Sequence, residues 1–139
     1  MAISQRKFRE IVFQVIFSQD FGGGMDSKMF ASFLDQFMIT KKRLRQVFDK
    51  AREVIAKKEV IDDLITKFSK DYDVSRISCV ERNVLRLGVF EVLFDDEISP
   101  KIAISESIRL SRKFGTPEGG AFVNAVLDAI YLVETNHVD

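Results

Sequence analysis

Cysteine and histidine are nearly missing from this chain, with Cys79 and His137 the only examples among 139 residues. A lone thiol closes no intrachain disulfide, and without a second thiol or a neighbouring imidazole it builds no metal centre. Cys79 reads as a small buried hydrophobe in the first turn of a helix. His137, close to the end of the sequence, cannot join other histidines in an acid–base or ligand cluster. Phosphate-binding loops, dinucleotide fingerprints and zinc-protease spacings are absent too. The carboxylate pairs Asp62-Asp63 and Asp95-Asp96 are adjacent in sequence, so they splay apart on a helix or turn instead of acting together. The expectation is a protein that is not an enzyme and uses no cofactor or metal.

Long apolar runs are lacking as well. None approaches the ~20 residues that cross a bilayer, and no basic-then-apolar leader opens the sequence. A cytoplasmic chain without membrane contact is therefore expected. Nor is there an excess of either charge: 21 basic residues face 21 acidic ones. Net charge thus gives only weak support to bulk electrostatic attraction to nucleic acid, and local distribution matters more. Such a concentration exists at residues 41–58, with eight cations (Lys41, Lys42, Arg43, Arg45, Lys50, Arg52, Lys57, Lys58) against Asp49 and Glu53. Residues 59–73 swing to net negative. Charge runs of this kind are commonly the solvated face of a helix.

What the chain does have is apolar residues at 46%, with 13 Phe and no Trp, so phenylalanine is the main core filler. A chain this long buries roughly 70% of its extended surface in one domain, expected to span residues 1–139. Its apolar positions recur at three and four residues and never convincingly at two, so the fold class is all-α, with about seven helices. The first helix covers residues 4–20 and stops at Gly22-Gly23-Gly24. A second carries Met29, Phe30, Phe33, Leu34, Phe37 and Met38. The series Leu44, Val47, Phe48, Ala51, Val54, Ile55 is followed by Val60, Ile61, Leu64, Ile65, Phe68, with a break or a continuation near Lys58. Ser78-Cys79-Val80-Glu81 fits a capping box at the head of the next helix. Ser99-Pro100 starts another, which runs to Phe114, where Gly115 is expected to supply a left-handed stop before Thr116-Pro117 begins the last. Residues 113–122 then form a rigid, water-facing corner.

On the first helix a turn of 100° per residue puts Phe8, Ile11, Val12, Val15 and Ile16 on one stripe. Arg6, Arg9, Phe13 and Phe17 fall largely on the other side. The second face suits either helix packing or contact with phosphates and a partner.

Taken in order, several segments resemble the NusB family of transcription antitermination factors: Arg6-Lys7-Phe8-Arg9-Glu10 with Gln14 and Phe17; Glu81-Arg82-Asn83-Val84-Leu85-Arg86; Pro100-Lys101-Ile102-Ala103-Ile104-Ser105-Glu106; Lys113-Phe114-Gly115; and Phe122-Val123-Asn124-Ala125-Val126-Leu127-Asp128. The resemblance implies an all-α fold of two small helical bundles. It also implies a binding protein that pairs with NusE, a small-subunit ribosomal protein. Together they take up single-stranded boxA-type nascent RNA and help the RNA polymerase antitermination complex read through ribosomal RNA operons. Carried over residue by residue, the RNA side comprises Arg6, Lys7, Arg9, Glu118 and Phe122, and the NusE side Phe17, Arg76 and Glu81. The Glu81 carboxylate is claimed both by its helix cap and by the partner. Position 17 is Phe where the family commonly has Tyr, and Gly119-Gly120-Ala121 stands where basic or polar residues are common. Asn124 is expected to have a structural role. Other readings are a helical interaction or homodimerisation module, and an RNA-binding domain related to that of ribosomal RNA cytosine methyltransferases. The free chain is expected as a monomer or as a homodimer that hides its basic helix.

Overall fold

Seven α-helices and one 3₁₀ turn form the secondary structure of the described residues, 3–70 and 74–135 of a computed structural model, with no strand among them. His137 lies outside the described residues. The chain divides into two compact units, Met1–Ala56 and Lys57–Asp139.

The first unit holds α1 (Gln5–Gln19), α2 (Ser27–Gln36) and α3 (Lys41–Ala56). Each helix starts on a side chain that accepts an otherwise unpaired backbone N–H. Ser4 Oγ takes that of Lys7 at 3.1 Å, Asp26 Oδ1 that of Met29 at 2.9 Å and Thr40 Oγ1 that of Arg43 at 3.1 Å. The predicted stripe of Phe8, Ile11, Val12, Val15 and Ile16 is buried, as are Leu44, Val47, Phe48 and Ala51 of α3, the helix on which α1 packs. After α1 the chain reverses at Gly22, whose φ of +80° suits glycine. Phe30 and Phe33 of α2 meet Phe48 edge-on, with centroids 5.4 and 6.3 Å apart. The expected stripe on this helix runs too far. Phe37 is already extended and Met38 is 95% exposed, because the backbone straightens there to reach the cap of α3.

The second unit holds α4 (Lys58–Phe68), the 3₁₀ turn Val74–Arg76, α5 (Cys79–Phe94), α6 (Pro100–Phe114) and α7 (Pro117–Thr135). The open question near Lys58 resolves as a break, since Lys57 alone leaves the helical conformation between α3 and α4. In α5 every residue from Asn83 to Val92 is buried, and α4, α6 and α7 all pack on it. Gly88 makes that possible, because a Cβ there would stand 2.6 Å from Ser107 Oγ and 2.9 Å from Leu127 Cδ1. Arg86 Nε and Nη2 donate to the two carboxylate oxygens of Asp62 at 2.8 and 2.9 Å, joining α5 to α4. Asn83 turns its amide to the Cys79 carbonyl at 2.8 Å and its oxygen to Arg86 Nη1 at 3.2 Å. Cys79 is half-buried instead of fully buried, since it opens the helix.

Two expectations about the α6–α7 corner need correction. Gly115 has φ −124° and is not a left-handed stop. Its lack of a side chain matters for close approach, with a Cβ falling 2.9 Å from the Ser111 carbonyl oxygen and 3.2 Å from Val80 Cγ1. Gly119 and Gly120 are not on a water-facing corner. They are buried in the first turn of α7, which Thr116 caps by accepting the Gly119 N–H at 3.2 Å.

Candidate nucleic-acid interface

Helix α1 begins with cations and has no acidic residue in its first turn. The N-terminal end of a helix dipole disfavours positive charge, by about 0.3–1 kcal/mol per residue. These cations therefore gain nothing from the dipole of α1. Arg6 and Lys7 are exposed. The Lys7 ammonium lies 5.4 Å from the Phe37 ring centroid and 3.8 Å from Glu10 Oε1, contacts that aim it without hiding it, its side chain remaining 46% exposed. Arg9 departs from the expectation of a solvent-facing cation. It is 6% exposed, because its neighbours one turn on, Val12 and Phe13, are buried and carry that face inward. Its guanidinium is engaged within the protein.

Phe13 is likewise core, at 2% exposure, while Phe17 is half-buried. Phe17 stands 5.7 Å from Phe13 and 5.1 Å, edge-on, from Phe21. Phe21 is 70% exposed and extends the aromatic row to the surface. The sequence reading passed over it, although its i+4 spacing from Phe17 was visible.

In the second unit Arg76 ends the 3₁₀ turn and is exposed. Glu81 is half-buried at the head of α5. Ser78 Oγ accepts the Glu81 N–H at 3.4 Å and donates its own proton to Glu81 Oε2 at 2.6 Å. The rest of the carboxylate lies over Gly119, where a Cβ would come within 2.9 Å of its Cδ. Glu81 thus acts as a cap and also marks where α7 approaches α5. Glu118 is exposed in the first turn of α7, where the dipole favours an anion. A carboxylate repels phosphate, so toward RNA it can only accept from base amino groups or ribose hydroxyls. Phe122 is half-buried and offers part of a ring. Asn124, expected to be structural, is exposed, because it lies on the flank of the α7 face that buries Val123, Val126 and Leu127. Arg6, Lys7 and Phe17 belong to the first unit, and Arg76, Glu81, Glu118 and Phe122 to the second.

No group of three or more His, Cys, Asp or Glu placed to hold a metal ion occurs among the described residues, and no helix among them is long and apolar enough to cross a membrane.

The sequence model of the NusB family matches residues 6–132, covering both units. The chain belongs to the NusB family. A transcription antitermination protein NusB from Desulfosudis oleivorans is 38% identical over 130 residues, which span 91% of this chain and 84% of the relative. Among solved structures, NusB from T. maritima superposes with a TM-score of 0.82 at 30% identity, over 96% of this chain and 94% of that one. A further NusB, solved with NusE and double-stranded RNA, gives a TM-score of 0.78 at 29% identity, over 91% of this chain and 95% of that one. The NusB fold is thus shared along nearly the whole chain.

Proposed function

We propose that this chain is a non-catalytic, cytoplasmic transcription antitermination factor that binds nascent RNA as a heterodimer with a NusE-type ribosomal protein. The exposed pair Arg6 and Lys7, set against the dipole of α1 within a family-wide match, carries this reading. The NusB relative solved with NusE and RNA supports it. Arg6 and Lys7 neutralise phosphates. Phe122 supports an unstacked base and Glu118 accepts from its amino group. Arg9, from inside, steadies the helix that presents the pair. On the partner side Phe17, extended by Phe21, offers an aromatic contact, while Arg76 and the part of Glu81 not used in capping meet charged groups of NusE. The RNA of the related complex is double-stranded. The segment proposed here is single-stranded and of boxA type, as the family resemblance implies.

The test is binding of a boxA-type oligonucleotide, its scrambled control and its duplex, at low and high salt, with and without NusE. Single-strand, sequence-selective binding that tightens with NusE is expected. Changing both Arg6 and Lys7 to Ala should weaken it roughly tenfold while thermal stability stays within about 0.5 kcal/mol. Equal affinity for the scrambled strand, or an equal loss of stability, would overturn the assignment.

A further inference from the structure

The cations at the start of α3 take no part in the surface described above. Within the first unit the Arg43 guanidinium lies 3.9 Å from the Phe8 ring centroid, and Phe37, just before α3, receives Lys7 at 5.4 Å. These two contacts bring the first turn of α3 beside the head of α1 that bears Arg6 and Lys7. Along α3, the adjacent exposed pair Lys41 and Lys42 is followed at three- and four-residue steps by the exposed Arg45, Asp49 and Arg52. They make one stripe of about 16 Å at 1.5 Å per residue. Asp49 is paired with Arg52 at 3.1 Å. Lys41, Lys42 and Arg45 have no ion-pair partner among the described residues.

The stripe borders a groove of about 440 Å³ between α2 and α3. Half-buried Phe30 lines it, backed edge-on at 5.4 Å by the core residue Phe48, and the Arg52 guanidinium stands 5.8 Å from the Phe48 centroid. Of its two carboxylates, Asp49 is neutralised by Arg52, and Asp26 caps α2 by accepting the Met29 N–H at 2.9 Å. The groove lining is balanced, Arg45 and Arg52 against Asp26 and Asp49, and the positive excess beside it comes from Lys41 and Lys42 on the bordering stripe. Planar aromatic and guanidinium groups beside free cations suit a nucleobase with its phosphates. An acidic peptide would use the cations but not the Phe30 ring.

We propose that this face of α3 is a second RNA contact. Lys41, Lys42 and Arg45 hold phosphates beyond the segment bound at the head of α1, and the α2–α3 groove takes one unstacked base. The inference rests on the RNA-binding reading above and extends it to flanking nucleotides. It is tested with three single strands, a minimal boxA-type oligonucleotide and two versions of it, each lengthened on one side. Each is titrated with the full chain in the presence of NusE. Three proteins are compared: the unaltered chain, the Lys41→Ala/Lys42→Ala/Arg45→Ala variant, and the Arg6→Ala/Lys7→Ala variant. All three substituted positions on α3 are exposed, and circular dichroism checks that the fold is kept.

The α3 variant is expected to lose about tenfold in affinity for a lengthened strand, with a salt dependence shallower by about two in log–log slope. Its affinity for the minimal strand should not change. The α1 variant should weaken on all three strands. Unchanged binding of both lengthened strands by the α3 variant, or an equal loss on the minimal one, would overturn the second contact. So would unchanged RNA affinity with weakened NusE binding, which would make this face a protein surface. Failure of the unaltered chain to prefer the minimal strand over its scrambled control would instead refute the underlying RNA reading.

Discussion

Arg86 sits at 6% exposure with its guanidinium bound by Asp62 and Asn83, so removing the Asp62 carboxylate takes a two-point counter-charge from a buried cation. Asp62→Ala should therefore cost about 3 kcal/mol, toward the lower end for buried pairs because Asp62 keeps 18% of its side chain exposed. Urea unfolding measures the loss. Asp62→Asn, which retains an acceptor, should recover part of it. A loss below about 1 kcal/mol would mean that water replaces the carboxylate. Arg9 illustrates the same physics from the other side. It reads like Arg6 in the sequence, yet it is buried where Arg6 is exposed.

At the level of helices, two glycines behave oppositely although both lie between apolar segments. At Gly88 an added methyl meets Ser107 and Leu127, so the α5–α6 and α5–α7 contacts must open. Gly88→Ala gains about 1 kcal/mol in helix propensity, against about 1–3 kcal/mol of overpacking. The tightness of the contacts puts the balance on the side of destabilisation. At Gly24 nothing lies within 4 Å. Gly24→Ala should leave stability unchanged or raise it by about 0.4–1 kcal/mol, through a less flexible unfolded chain. Thermal melts of the two variants should shift in opposite directions or leave Gly24→Ala unshifted. A stabilised Gly88→Ala would show that α6 and α7 have room to yield.

For the molecule as a whole, the formal charge of zero removes long-range attraction to RNA and leaves affinity to the cations that touch phosphate. Each neutralised phosphate of a single strand contributes about −0.7 to the slope of log K against log salt. A minimal strand meeting only Arg6 and Lys7 should give a slope of about −1.4 with the free chain, and a strand that also meets Lys41, Lys42 and Arg45 about −3.5. Titrations across a range of salt concentrations measure both. Equal slopes for the two strands would confine the phosphate contacts to one end of the first unit.

The sequence by itself determined the all-α class, most helix starts and the principal core stripes, because these depend on local periodicity and on capping side chains within three residues of their targets. Ser4, Ser78, Ser99 and Pro100 stand where their types predict. The family was legible for the same reason, since its motifs are short runs read in order. Tertiary packing alone decided which members of those motifs face water. Arg9 and Arg86 are buried while Arg6 is exposed, Asn124 faces outward, and Gly115, Gly119 and Gly120 answer to side chains on other helices. It also joined the basic start of α3 to the head of α1, more than thirty residues apart in the chain. Exposure and proximity depend on which helices pack together, and no window of residues shorter than the packed unit contains that information.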